Sequence, residues 1–281
     1  MGTRIGAALL PELLRKLKEI LPESYKEYSH VKNTIEKRWT SVDFYVDQWP
    51  DFTALVIRPD PQKHELKFSD KYHFVYGTNP EQLIKIITAD GFINWSERVT
   101  FGAVPSRFWP AIDDLLIEKK GEFTKDPECI VYTMTKEDLV LHDVPDGMEL
   151  KWMNPKEAPE LYCSNSKYQL RPGILEYTQA LITKFRSLAL ITKAGQHFVG
   201  VASQTYFGTI GLLFVHEQYR GNGCAKVILS HLAKALLDDN QVFVSLAEDD
   251  NAPAIRIHRS VGFKPIALKT RWFRFKPGNS S

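Results

Sequence analysis

Residues 212–232 read LLFVHEQYRGNGCAKVILSHL: an apolar strand, a glycine-rich turn and an amphipathic helix. Within the turn, Gln218, Gly221 and Gly223 complete a Q-x-x-G-x-G pattern, and Cys224 and Ala225 keep the first helical turn small. Small residues let backbone N–H groups approach a phosphate closely, and a helix N-terminus adds partial positive charge. The stretch therefore reads as a grip for a pyrophosphate, with contacts expected from Gln218, Arg220, Gly221, Asn222, Gly223, Cys224 and Ala225. A Walker turn is excluded, because Cys-Ala stands where Lys-Ser or Lys-Thr is needed. A dinucleotide fold usually carries its glycines near the start of a βαβ unit, whereas here they come late in the chain.

A second cluster separates the alternatives. Residues 241–263, QVFVSLAEDDNAPAIRIHRSVGF, give a strand, Asn251, a short helix and Gly262-Phe263 at its exit. A strand, N-x-x-A, a helix and G-F, following Q-x-x-G-x-G in this order, resembles the second half of the Gcn5-related N-acetyltransferase fold. In that superfamily the glycine turn holds the pyrophosphate of coenzyme A, and the later helix carries side chains toward the thioester sulfur.

Composition is consistent with a two-domain globular chain. The 281 residues exceed one ordinary domain, and 43% apolar residues suffice for a large core. No apolar run approaches membrane-spanning length. A net charge of +2, with Lys and Arg scattered, gives no footprint for nucleic acid. Cys129, Cys163 and Cys224 are odd in number and far apart, which fits neither a disulfide framework nor a zinc site. No metal is expected.

The first half reads as a helix over 9–20, strands near 40–46, 53–58 and 71–76, a helix over 79–88, a helix over 106–119 and a strand over 129–134. Asn79 caps its helix, with Pro80 at the first helical position. A polar stretch, 135–147, joins the halves. The second half reads as strand 148–153, helices 155–164 and 173–185, and strands 188–193, 197–207 and 209–215. Then come the turn and its helix, strand 241–247, helix 252–260 and a last strand pair within 263–275. The expected fold class is α/β (α+β): two tandem acetyltransferase-like domains, 1–140 and 147–276, with mixed sheets flanked by helices. Residues 7–21, AALLPELLRKLKEIL, carry leucines at helical spacing. Glu12, Glu19 and the lack of serine favour a packed helix over a transit segment.

The N-terminal half narrows the resemblance. FYVDQWPDFTALVI at 44–57, Phe92-Ile93-Asn94-Trp95 and LPESYKEY at 21–28 are similar to landmarks of the glycine N-acyltransferase family. The resemblance covers nearly the whole chain. It implies transfer of an acyl group from acyl-CoA to the amine of glycine or another small amino acid, with acyl-CoA as co-substrate. A mitochondrial location is also implied, with a cytoplasmic one as the alternative. Two departures are visible. The family commonly has Glu directly before Tyr-Arg, where this chain has Gln218. The family's Phe-Gly-Gly-Asn segment is replaced by Ser166-Lys167-Tyr168-Gln169-Leu170-Arg171-Pro172-Gly173.

Four chemical needs follow. The backbone of Leu213, Phe214 and Val215 is expected to pair with the pantetheine arm, and one of its N–H groups to stabilise the oxyanion. Asn251 belongs to the donor-binding set through the motif. A base must deprotonate the amine: Glu217 is favoured, with His216 and Glu248 as alternatives. The leaving thiolate needs a proton, and His258 stands seven residues after Asn251, where many enzymes of this fold have Tyr. An imidazolium of pKa about 6.5 is competent toward a thiolate of pKa about 8.5. Arg171 is the expected partner of an acceptor carboxylate. Direct transfer in a ternary complex needs no acyl-enzyme, so Cys224 is read as packing. Two rival readings stay open: a protein or polyamine N-acetyltransferase, and a non-catalytic acyl-CoA-binding module.

Overall fold

A computed structural model describes residues 2–60, 62–63, 71–156 and 173–278. In chain order its elements are β1 (Thr3–Arg4), α1 (Leu10–Glu19), α2 (Tyr25–Ile35), β2 (Val42–Val46), β3 (Ala54–Pro59), β4 (Tyr72–Gly77), α3 (Pro80–Ile87), β5 (Val99–Pro105), α4 (Trp109–Glu118), β6 (Glu122–Lys125) and β7 (Cys129–Thr133). Then follow β8 (Met148–Trp152), α5 (Ile174–Lys184), β9 (Ser187–Thr192), β10 (Phe198–Gln204), β11 (Thr209–Val215), α6 (Cys224–Asp238), β12 (Val244–Glu248), α7 (Ala252–Val261) and β13 (Lys264–Lys276). The chain forms two compact units: Met1–Cys129 with Leu268–Ser281, and Ile130–Ala267.

In the first unit, β1 to β5 lie in sequence order; all neighbours pair antiparallel except β4 and β5, which are parallel. Helix α3 makes that parallel crossover and starts where the sequence signals it. Asn79 accepts from the Gln82 amide, Pro80 follows, and Leu83, Ile86 and Ile87 are buried. They join Phe101, Phe108, Ile112 and Leu116 in the core, closed by Phe273 and Phe275 of the chain's last strand. Helix α1 buries Leu10, Leu13 and Leu17, so the amphipathic leucine segment is a packed helix.

In the second unit, β8, β9, β10 and β11 form an antiparallel meander and β12 joins β11 in parallel. The core lies on the α6 face, where Val227, Ile228 and Leu232 meet Leu190, Val199, Tyr132 and Phe263. Both units are thus mixed sheets with flanking helices, the fold class read from the sequence.

Several elements depart from that reading, the short strands β1 and β6 among them. Helix α2 was not foreseen, because what it buries is largely polar: Lys26, Glu27, Ser29, His30 and Asn33, which leave no apolar period. Strand β5 contains Gly102 and Pro105, which read as breakers. Gly102 is required there because a Cβ would lie 2.6 Å from the Phe74 ring. The expected C-terminal strand pair is one 13-residue strand, β13, whose charged residues Lys269, Arg271 and Arg274 masked its continuity. The expected helix over 155–164, Cys163 and Arg171 lie outside the described residues, apart from 155 and 156 in a turn.

Burial of charge has a consequence for stability. Lys26 and Glu27 are 1% and 0% exposed; the Lys26 ammonium donates to the Glu27 carboxylate at 2.7 Å and to the Val75 carbonyl at 2.9 Å. Burial pushes the His30 ring down to about 3, aided by the Lys26 charge, and the His73 ring down to about 4. Both rings are neutral when folded but take up protons when unfolded below the ordinary value of about 6.5. Their contribution is fully present above that value and is lost as pH falls toward about 4 for His73 and about 3 for His30. Urea unfolding between pH 7 and 5 should lose about 1.4 kcal/mol per pH unit for each ring below that threshold. A flat profile in that window would contradict the neutral assignment.

Candidate functional site

The site is built on the central strands of the second unit. Between β10 and β11, Val201 pairs with Phe214 and Ser203 with Gly211, so β11 carries one extra residue. Leu212 takes the left-handed φ of 56° in that bulge. A non-glycine residue in this region is strained, as happens where a strand is re-aimed. On its other side β11 pairs with β12 only at Thr209–Val244 and Ile210–Ser245. Beyond Ile210 the two strands share no register pair among the described residues, and residues 211–215 are partly exposed. The result is a split in the sheet along the β11 edge beyond Ile210.

The split leads into the glycine turn. Residues 217–219 form a short 3-10 turn, Gly221 and Gly223 take φ of 83° and 78°, and α6 begins at Cys224. A Cβ at either glycine would meet nothing within 4 Å, so open space faces the loop. Gly223 stands at the N-cap without a side-chain cap. The amides of Gly221, Asn222, Gly223, Cys224 and Ala225 have no backbone acceptor among the described residues. Those are the donors that a helix start leaves unsatisfied, with the positive end of the dipole behind them.

The first unit has a corresponding β–α–β crossover without this feature. There β4 runs into α3 through Thr78 and Asn79 alone, and the Asn79 side chain and Pro80 close the helix start. Gly77 is also walled in: a Cβ would sit 2.1 Å from the Thr53 carbonyl oxygen. Of these two crossovers, only that of the second unit presents an uncapped N-terminus to open space.

The side chains around the turn are disposed as follows. Arg220 is exposed, and its Nε donates to the Val215 carbonyl at 3.1 Å. Glu217 and Gln218 are exposed on the 3-10 turn, and His216 is partly buried with an Nδ1 that is shielded and without a partner among the described residues. Cys224 is 1% exposed and burial pushes its thiol up, which agrees with a packing role. Asn251 is the N-cap of α7, accepting from the Ala254 amide at 3.1 Å, so its side chain is engaged within the helix.

His258 lies inside the core, 4% exposed, stacked on Tyr132 with ring centroids 4.8 Å apart. Its Nδ1 is 2.7 Å from the Ala254 carbonyl and its Nε2 is 2.7 Å from Ser245 Oγ. A carbonyl only accepts, so Nδ1 carries a proton, and burial pushes the ring's pKa down; Nε2 and the Ile210 carbonyl both face the single proton of the Ser245 hydroxyl. Ser245 is the β12 residue of the last pair before the split, and its Oγ also lies 3.0 Å from the Ile210 carbonyl. The sequence reading did not single out Ser245; its small polar side chain inside an apolar strand, VSLAE, was the available signal. The structure thus brings residues 213–225 together in one turn and its approach, links His258 to the split through Ser245, and leaves Arg171 undescribed. Among the described residues no group of three or more His, Cys, Asp or Glu is placed to hold a metal ion. No helix there is long and apolar enough to cross a membrane.

Comparison with known proteins bears on the fold and the family. Residues 187–273 match the profile of FR47-like proteins. The rat protein named glycine N-acyltransferase is 27% identical over 183 residues, covering 64% of this chain. That match spans 60% of the rat protein's length. Among solved structures, a Drosophila protein superposes with a TM-score of 0.84 at 14% identity, covering 98% of each chain. A tandem acetyltransferase-fold protein from the clavulanic acid biosynthesis pathway covers 100% of this chain and 99% of its own, with a TM-score of 0.56 and 13% identity. These likenesses establish the fold, two acetyltransferase-fold units in one chain. Residues 6–186 match the profile of the aralkyl acyl-CoA:amino acid N-acyltransferase family, and the chain belongs to that family.

Proposed function

We propose that this protein transfers an acyl group from acyl-CoA to the amine of glycine or another small amino acid, by direct attack in a ternary complex. The observation that carries the proposal is the pairing of a split sheet with an uncapped, glycine-lined helix start in the second unit. The amides of residues 221–225 would hold the pyrophosphate, with the Arg220 side chain adding charge and Gln218 opening the turn; the Arg220 amide, also expected there from the sequence, is bonded to the Glu217 carbonyl. The edge of Leu213, Phe214 and Val215 would pair with the pantetheine arm, the Arg220 side chain giving up the Val215 carbonyl where that carbonyl is needed. The donor-binding domain read from the sequence as 147–276 corresponds to the second unit, Ile130–Ala267, with residues 268–276 belonging to the first. A mitochondrial setting is the proposal that the family resemblance carries.

The reaction balances without a further reagent. The amine nitrogen forms a bond to the thioester carbonyl carbon, the carbon–sulfur bond breaks, and the products are an amide and free CoA thiol. The amine's proton goes to Glu217, at the mouth of the split, and the thiolate takes one in return. A backbone N–H of β11 stabilises the oxyanion between these steps. His258, neutral and bonded to Ser245, is assigned the placement of the strand edge at the sulfur end, and any proton it contributes passes by way of the Ser245 hydroxyl. Arg171 is proposed as partner of the acceptor carboxylate.

Gln218, at the position where the family commonly has Glu, favours one second reading: a module that binds acyl-CoA without turning it over. Thiol release on purified protein, with panels of acyl-CoA and amino acids, together with calorimetric titration of CoA, separates the two. Thiol release dependent on an amino acid is expected. Binding without release for any acceptor would support the module, and no binding would end both readings.

A further inference from the structure

The last residue of β11, Val215, faces Gly200 of β10. One place further along, the His216 amide donates to the Val199 carbonyl at 2.8 Å. Hydrogen-bonded and non-hydrogen-bonded pairs alternate along an antiparallel ladder, so Val215–Gly200 is a non-hydrogen-bonded pair. The Val215 amide and carbonyl therefore turn away from β10, to the side on which β12 has already separated. That carbonyl is not bare: it accepts from Arg220 Nε at 3.1 Å. The Arg220 side chain is exposed, and its other guanidinium nitrogens have no partner among the described residues. The Arg220 backbone is held by its amide, which donates to the Glu217 carbonyl at 3.1 Å. A change of partner thus needs only a change of rotamer.

In the acyl-transfer reading a pantetheine amide N–H would dock on the Val215 carbonyl, where the guanidinium now stands. Arg220 is also next to Gly221, at the mouth of the pyrophosphate turn. A phosphate is the stronger partner for a guanidinium, because it takes charge-assisted bonds in parallel pairs and a neutral carbonyl does not. We infer that Arg220 is a latch joining the two halves of the donor: it caps the Val215 carbonyl in the free protein, and the pyrophosphate draws it off, uncovering that carbonyl for the pantetheine arm. The inference rests on the acyl-CoA reading and adds a coupling to it. The nucleotide half prepares the strand edge for the thioester half, and by linkage each half tightens the other by the same factor.

The test uses the full chain and the two fragments of CoA, phospho-ADP and pantetheine, in calorimetric titrations. The wild type is expected to bind pantetheine about tenfold more tightly when phospho-ADP is saturating. In Arg220→Ala the carbonyl is uncovered from the start. Pantetheine alone should then bind about as well as it does to the saturated wild type, and the coupling should vanish. Phospho-ADP should bind that variant about tenfold more weakly. A gain for one fragment beside a loss for the other is produced neither by a scaffold residue nor by a simple phosphate ligand. Absence of coupling in the wild type, or pantetheine that fails to bind beside phospho-ADP, would overturn the inference and leave the pyrophosphate turn standing. Loss of affinity for both fragments in Arg220→Ala would also overturn it, since Arg220 would then support the strand edge by staying on Val215. Wild-type protein that binds neither fragment, singly or together, would end the acyl-CoA reading itself. The wild-type titrations decide the matter even where the variant fails to fold.

Discussion

Gly221→Asp is expected to weaken acyl-CoA binding about a hundredfold or more while the protein remains folded. A new Cβ at this position meets nothing within 4 Å, so no packing is disturbed. The backbone φ of 83° does carry a cost, because an L-residue is strained there. That cost is about 1–2 kcal/mol, several degrees or less in melting temperature for a chain of this size. The effect on the ligand is of another order. Asp would stand between the free amides of residues 221–225 and the pyrophosphate, adding a like charge where donors are wanted. Gly221→Ala separates the two contributions: it shares the strain without the charge, and should lose about tenfold. Calorimetric titration with CoA and a thermal melt on the same samples check both halves. Loss of fold in both variants, or unaltered affinity in Gly221→Asp, would remove the turn from the donor site.

The legibility of this site in the sequence followed the range of the interactions. The turn is local: Q-x-x-G-x-G between a strand and an amphipathic helix requires positive φ at two glycines, and both are found there. Asn79-Pro80 marks the start of α3 for the same reason. The split of β11 from β12 is not local. It depends on one extra residue at Leu212 whose φ no propensity would assign, and on register with two other strands. His258 illustrates the limit further. Its spacing from Asn251 places it on the short helix, yet only the packed structure shows that Tyr132 covers the ring and Ser245 engages it. Helix α2 was hidden because a buried Lys26–Glu27 pair looks in sequence like a solvated surface. The first unit's closed crossover, capped by Asn79, could be recognised as unsuited to a pyrophosphate only by comparison with the open one.

Glu217→Gln is expected to lower turnover by about a hundredfold to ten-thousandfold, the range for loss of a general base, with acyl-CoA affinity unchanged. The carboxylate is exposed on the 3-10 turn and has no hydrogen bond or ion pair within the described residues, so its removal should shift stability by less than about 0.5 kcal/mol. That combination, intact fold and donor binding with failed chemistry, is what distinguishes a base from a scaffold residue. The deficit should also shrink as pH rises, because a growing share of the acceptor then arrives as free amine and needs one proton fewer removed before attack. His258→Phe supplies the contrast. It breaks two buried hydrogen bonds, to Ala254 and Ser245, and should cost about 1–3 kcal/mol of stability. Its turnover defect should persist at high pH, since placing the strand edge at the sulfur does not depend on the amine's protonation. An unchanged rate in Glu217→Gln across the pH range would move the base to the adjacent His216, whose Nδ1 has no partner among the described residues.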